Sequence, residues 1–165
     1  MKSPLKAFIV DDESLARKGL ALRLEPFEQV QLIGESGNSR DALEQIVELS
    51  PDVVFVDIQM PGLNGFELLR ELQQRVDNLP AVVFVTAFDH YAIRAFEVRA
   101  LDYLLKPVDE ERLAETLERV QQELAPNSYQ KTQQKLVDLV SEVTGQQGDA
   151  ILEQLARGAD ISELN

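Results

Sequence analysis

Four hydrophobic runs punctuate the chain: Ala7-Phe8-Ile9-Val10, Val53-Val54-Phe55-Val56, Ala81-Val82-Val83-Phe84-Val85 and Leu101-Asp102-Tyr103-Leu104-Leu105. Three are nearly unbroken apolar stretches, as strands covered on both faces of a parallel sheet require. Between them, apolar residues recur every three or four positions over 15–24, 42–49, 66–72, 92–96 and 113–124, the spacing of helices that bury one face. Ser39, Asn64 and Asp109 precede three of these segments and are good N-cap types. Pro51 and Pro80 stand just before the next strands, where a helix must already have ended. Residues 30–35 alternate only weakly and read as an edge strand. The pattern therefore predicts an α/β domain of five strands and five helices in alternating order.

Each run stops at a chemically distinctive residue: Asp11-Asp12, Asp57, Thr86 and Lys106. In an open parallel sheet the carboxyl ends of the strands form the ligand crevice, so three carboxylates, a hydroxyl and an ammonium would meet there. Acids packed together raise one another's pKa unless they share a cation. Magnesium suits them, being a hard ion that takes carboxylate, phosphate and water oxygens. With a central Asp, a hydroxyl and a lysine point charge, the set is suited to phosphoryl transfer, where catalysis is largely positioning and charge neutralisation. Asp57 would be the acceptor.

Taken singly, most of these residues have plainer explanations. Asp11-Asp12 could cap the helix that carries Leu15, Leu20, Leu22 and Leu24. Thr86 could be a strand-end hydroxyl, Lys106-Pro107 a turn, and Tyr103 a half-buried strand aromatic. Met60-Pro61-Gly62 and the glycines Gly62 and Gly65 read as a turn. Asp57 resists this treatment, because an acid ending the run Val53-Val54-Phe55-Val56 is costly unless it meets a partner.

Ile9-Val10-Asp11-Asp12-Glu13, Val56-Asp57-Ile58-Gln59-Met60-Pro61-Gly62-Leu63-Asn64-Gly65, Val85-Thr86-Ala87 and Leu105-Lys106-Pro107-Val108, in this order and spacing, resemble the response-regulator receiver domain of bacterial two-component signalling. The match covers residues 5 to about 124. The resemblance implies a flavodoxin-like, doubly wound parallel sheet of order 2-1-3-4-5, whose switch point at strands one and three holds the Asp pair and Asp57. It implies that Asp12 and Asp57 coordinate magnesium directly, Asp11 mainly through water, with the backbone carbonyl of Gln59 completing the ligands. Thr86 and Lys106 would engage the phosphoryl group on Asp57, and Tyr103 would report the switch by turning inward. Lys is suited to its part as a compact charge with three donors. A cis bond is expected before Pro107, at a cost of only about 0.5–1 kcal/mol.

The stretch from Thr86 through Asp102-Tyr103-Leu104 is similar to the receivers that usually precede a LytTR DNA-binding domain. His90 is the sole histidine and reads as a solvated helix start, so the phosphoryl donor would be another protein, a sensor histidine kinase or phosphotransfer protein. Other α/β phosphoryl and electron carriers fit less well. A haloacid-dehalogenase-like phosphatase needs a second Asp where this chain has Gln59, and a flavodoxin-like carrier needs a phosphate-cradling loop where this chain has Asp11-Asp12-Glu13. The remaining alternative is a phosphorylation-independent interaction or dimerisation module.

The 165 residues divide into a receiver, 1–124, and an extension, 125–165, too short for a LytTR domain of the usual kind. Ala125-Pro126-Asn127-Ser128 reads as a break, followed by two short amphipathic helices carrying Leu136, Val137, Val140 and Val143, then Ile151, Leu152 and Leu155, with Gly145 to Gly148 between them. Asp149 and Asp160 could cap them, and Asp160 with Glu163 has capping-box spacing. Such helices must pack on the receiver, a second copy or a partner, so the extension is expected to be a linker, a dimerisation element or a small effector. A homodimer could form through it or through the helix 4, strand 5, helix 5 face. A formal charge of −13 repels nucleic acid, so direct DNA binding by this chain is not expected. The absence of cysteine excludes disulfides and thiolate metal sites, and no signal or membrane segment is evident; a cytoplasmic setting fits.

Overall fold

The strands form as the apolar runs predict. β1 (Leu5–Val10), β2 (Val30–Ser36), β3 (Val53–Val56), β4 (Ala81–Thr86) and β5 (Asp102–Leu105) build one parallel sheet of order β2-β1-β3-β4-β5 in the computed structural model, which describes residues 3–124, 137 and 139. β2 is an edge strand, as β5 is at the other side, and its register against β1 slips between Ala7 and Phe8, leaving Ile33 as an extra residue. The helices α1 (Ser14–Leu24), α2 (Ser39–Leu49), α3 (Gly65–Arg75), α4 (Ala92–Glu97) and α5 (Glu110–Glu123) alternate with the strands.

Because side chains alternate across a strand, the unbroken runs feed two separate cores. Phe8, Val10, Val54, Val56, Val82 and Phe84 join Ile46, Leu68, Leu72 and Ala95 of α2, α3 and α4 on one face. Ala7, Ile9, Val53, Phe55, Val83 and Val85 join Leu20, Leu24, Leu113, Leu117 and Val120 of α1 and α5 on the other. The helix spacing predicted these faces, with exceptions on α1, where Leu20 and Leu24 are buried but Leu15 and Leu22 are 80% and 65% exposed, and at the ends of two other segments, where Leu49 and Leu124 are exposed.

The caps follow the predicted residue types with one correction. Asn64 forms a reciprocal capping box with Glu67, and Asp109 accepts the Arg112 amide. Ser39, however, is the first residue of α2; its cap is Asn38, whose side chain accepts the amides of Arg40 and Asp41. Asn38 holds the extended backbone that a cap needs, which frees the Ser39 hydroxyl to accept the Leu63 amide at 3.1 Å and so latch α2 to the loop after β3. α1 has no side-chain cap at all.

Of the extension, Val137 and Leu139 lie in helical backbone and are buried, and Leu139 belongs to the cluster beneath α2, α3 and α4. The break at 125–128, the residues Leu136, Val140, Val143, Ile151, Leu152 and Leu155, the stretch 145–148, and the capping assignments to Asp149, Asp160 and Glu163 lie outside the described residues.

Candidate functional site

The order of strands puts the ends of β1 and β3 side by side, and the Asp57 amide donates to the Val10 carbonyl at 3.0 Å. Carboxylate oxygens of Asp11, Asp12 and Asp57 therefore lie within 4.8 Å of one another. Asp11 and Asp57 are buried, and Asp12 is exposed. Lys106, carried past the end of β5 and followed by a cis bond to Pro107, donates to Asp11 at 2.8 Å and to Asp57 at 3.1 Å.

The electrostatics follow from burial. Desolvation holds the Asp57 carboxyl above the usual carboxylate range, with Lys106 opposing and Asp11 adding to the rise. Burial alone would pull Lys106 down, but its hydrogen bonds and charge interactions with Asp11 and Asp57 outweigh that and raise it. One ammonium thus spans two anions that would otherwise repel. The set of hard oxygen donors, gathered at the ends of β1 and β3 with the Lys106 ammonium paired to two of the three acids, suits a small divalent ion.

The other predicted residues are placed as follows. Thr86 ends β4, fully buried, its hydroxyl without a hydrogen-bond partner among the described residues, while its carbonyl accepts the Lys106 amide at 2.9 Å. Gln59 is exposed; its side-chain amide donates to the Tyr91 hydroxyl at 3.0 Å. Tyr103, expected to turn inward on switching or else to be half-buried, is already fully buried, with its hydroxyl donating to the Phe88 carbonyl, and burial pushes its pKa far up. His90 is exposed just ahead of α4 and stacks on Tyr91. As for the capping alternative, the Asp11 carboxylate does accept the Glu13 amide at 2.9 Å, so it serves the entrance to α1 and the acid cluster at once.

Two contributors go beyond the sequence reading: Gly65, read there only as part of a turn, and the acid Asp102 inside the fourth run. Gly65 opens α3 against the site: a Cβ there would lie 2.8 Å from the Asp57 carbonyl oxygen and 3.0 Å from the Ile58 Cα. Gly65→Ala is accordingly expected to cost about 1–3 kcal/mol in urea denaturation, the usual cost of overpacking. A loss under about 0.5 kcal/mol, within the range of innocuous substitutions, would show that the loop yields freely. Behind β5, the fully buried Asp102 pairs with Arg112 at 2.6 Å, accepts the Thr116 hydroxyl at 2.6 Å, and lies 3.0 Å from Arg119, close enough for an ion pair though not aligned as a hydrogen bond. The signal available was the acid breaking the fourth run, opposite two arginines and a threonine on one face of α5.

Comparison with known proteins agrees with this geometry. The response regulator receiver domain profile matches residues 7–118. The sensory transduction protein LytT of Bacillus anthracis is 44% identical over 152 residues, covering 92% of this chain and 58% of that protein. The transcriptional regulatory protein BtsR of Salmonella typhi is 47% identical over 119 residues, covering 72% of this chain and 49% of that protein. The chain thus spans about half the length of these curated relatives. The response regulatory domain of protein mrkE from Klebsiella pneumoniae superposes with a TM-score of 0.64 at 33% identity, over 71% of this chain and 95% of that one. Among the described residues no helix is long and apolar enough to cross a membrane. From the acid cluster at the switch point to the sheet order and the matched profile, the chain belongs to the response-regulator receiver family.

Proposed function

We propose that this chain is the phosphoacceptor part of a LytTR-type response regulator, receiving a phosphoryl group on Asp57 from a sensor histidine kinase or phosphotransfer protein and switching an output, transcription in the whole protein. The observation that carries this reading is the Lys106 ammonium held between the buried carboxylates of Asp11 and Asp57, with Asp12 beside them. Asp11, Asp12, Asp57 and the backbone carbonyl of Gln59 would hold magnesium, Asp12 and Asp57 directly and Asp11 mainly through water. When bound, the ion neutralises charge on the phosphoryl oxygens.

An Asp57 carboxylate oxygen attacks phosphorus, and the bond from phosphorus to the donor's imidazole nitrogen breaks as the acyl phosphate forms. Lys106 moves its charge onto the new group, and the unpartnered Thr86 hydroxyl supplies a donor that the phosphoryl oxygens attract. Water later hydrolyses the acyl phosphate at the same site. Tyr103, whose ring is packed inward here, would be held inward as Thr86 shifts, reshaping the α4, β5 and α5 surface. That surface or residues 125–165 would then pair two copies, with 1–124 acting as the receiver. DNA contact is left to other parts of the regulator, since −13 formal charges oppose it here, and a cytoplasmic location is part of the same reading.

Incubating the protein with magnesium and a small acyl phosphate, then measuring intact mass and light scattering after size exclusion, tests this. One added phosphoryl group per chain, dependent on magnesium and accompanied by a changed oligomeric state, is expected. No addition at any magnesium concentration would make the chain a phosphorylation-independent interaction module instead.

A further inference from the structure

Arg17, on the second turn of α1, is not one of the acids or donors of the site, yet its guanidinium joins three chain segments around it. Its Nη1 donates to the backbone carbonyl of Asp11 at 2.6 Å, and its Nε donates to Glu35 at the end of β2 at 3.1 Å. It also rests against the turn between β2 and α2, where a Cβ on Gly37 would lie only 2.6 Å from Nη1. The Arg17 side chain is mostly covered, 19% of it exposed.

The carbonyl it holds is the one that links Asp11 to Asp12. A peptide unit is planar, so fixing that carbonyl fixes the amide of Asp12 with it. On the other side, the Asp11 amide donates to the Ser36 carbonyl at 3.1 Å, and its carboxylate is held by the Glu13 amide and Lys106. Every polar group of Asp11 is thereby engaged. Asp12, whose exposed side chain has no hydrogen bond or ion pair among the described residues, takes its position from the plane that Arg17 grips. Lysine could not do the same, because one ammonium on a flexible stem lacks the fork that reaches a carbonyl and a carboxylate at fixed angles.

We infer that Arg17 is a positioning residue for divalent-cation binding: it orients the Asp11-Asp12 peptide so that both carboxylates face the same ion, while Glu35 neutralises its charge. The inference rests on the reading of Asp11, Asp12 and Asp57 as the cation site. It makes a prediction whose sign separates it from simple electrostatics. Removing a cation beside an acid cluster should tighten magnesium binding by charge alone, whereas loss of positioning should weaken it.

The test is isothermal titration of magnesium into the wild type, Arg17→Ala and Arg17→Lys, alongside urea denaturation of each without metal. The wild type is expected to bind, Arg17→Ala to bind about tenfold more weakly, and Arg17→Lys, with its charge kept and its fork lost, to be weakened nearly as much. Gly37→Ala, which would push the guanidinium aside while leaving every charge in place, should weaken binding in the same direction and covers the case in which Arg17→Ala does not fold. Unchanged or tighter binding in folded Arg17→Ala, or in Gly37→Ala, would overturn the inference while leaving the acid cluster as the cation site. Failure of the wild type itself to bind magnesium would overturn the cation site, and the inference with it.

Discussion

Asp57→Asn is expected to take up no phosphoryl group where the wild type takes one, and to be more stable than the wild type at neutral pH. The first effect is total, because the amide has no anionic oxygen with which to attack phosphorus. Intact mass after incubation with magnesium and a small acyl phosphate reads it directly. A persistent single addition in Asp57→Asn would move the acceptor to another side chain. The second effect follows from burial. The folded-state pKa of Asp57 lies above its ordinary value of 3.8 because desolvation penalises the charged form. A raised carboxyl contributes stability below the unfolded value, and this is lost as pH rises through the folded value. Above the folded value the wild type carries an ionised, buried Asp57 that opposes folding. Asn removes that charge and leaves Lys106 its 2.8 Å partner on Asp11. Urea denaturation in chelator should show the gain at neutral pH shrinking as the pH falls toward the ordinary carboxyl value. A gain that persisted in acid would mean that burial of the charge is not its source. The receiver thus holds an acid at a stability cost, as sites poised for chemistry commonly do.

Asp102→Ala is expected to be the most damaging single change for the fold, at about 3–5 kcal/mol, the range for removing one partner of a buried ion pair. Asp102 is fully buried and receives Arg112, the Thr116 hydroxyl and the Tyr103 amide, with Arg119 3.0 Å away. Alanine would strand two guanidinium groups against an apolar face. Against a typical domain stability of about 5–15 kcal/mol, such a loss is severe. Asp102→Asn keeps an acceptor for Thr116 and Arg112 and should lose less. Urea midpoints of the three proteins measure the order, and a loss below about 1 kcal/mol for alanine, the usual value of an exposed pair, would show that the two arginines are effectively solvated. Because Arg112 also donates to the Tyr103 carbonyl at 3.2 Å, the network ties α5 to the strand that delivers Lys106 to the site.

The strands and helices were legible in the chain because their pattern is local. Apolar runs such as Val53-Val54-Phe55-Val56 can be satisfied only between two covered faces, and the two cores divide along the alternation that strands impose. Asn64 and Asp109 cap where their residue types placed them, and the strand-end position of Asp57 marked it as an acid in need of a partner. At Ser39 the reading was one residue late, since Asn38 and Ser39 are both good caps and only the extended backbone at Asn38 decides between them. On α1 the leucine count overstated the buried face, because Leu15 and Leu22 lie away from the side that Leu20 and Leu24 pack.

By itself, then, the sequence determined the alternating elements, the covered parallel sheet and the residues standing at the strand ends, because hydrophobic periodicity and capping act over a few residues. Tertiary structure alone decided which charges meet. Lys106 reaches Asp11 across 95 positions and Asp57 across 49, Arg17 grips the peptide between Asp11 and Asp12 while pairing with Glu35, and Asp102 gathers two arginines from α5. Such pairings depend on strand order and on the depth at which each group is buried; burial raises the Asp57 pKa, whereas the acids that meet Lys106 outweigh burial and raise its own.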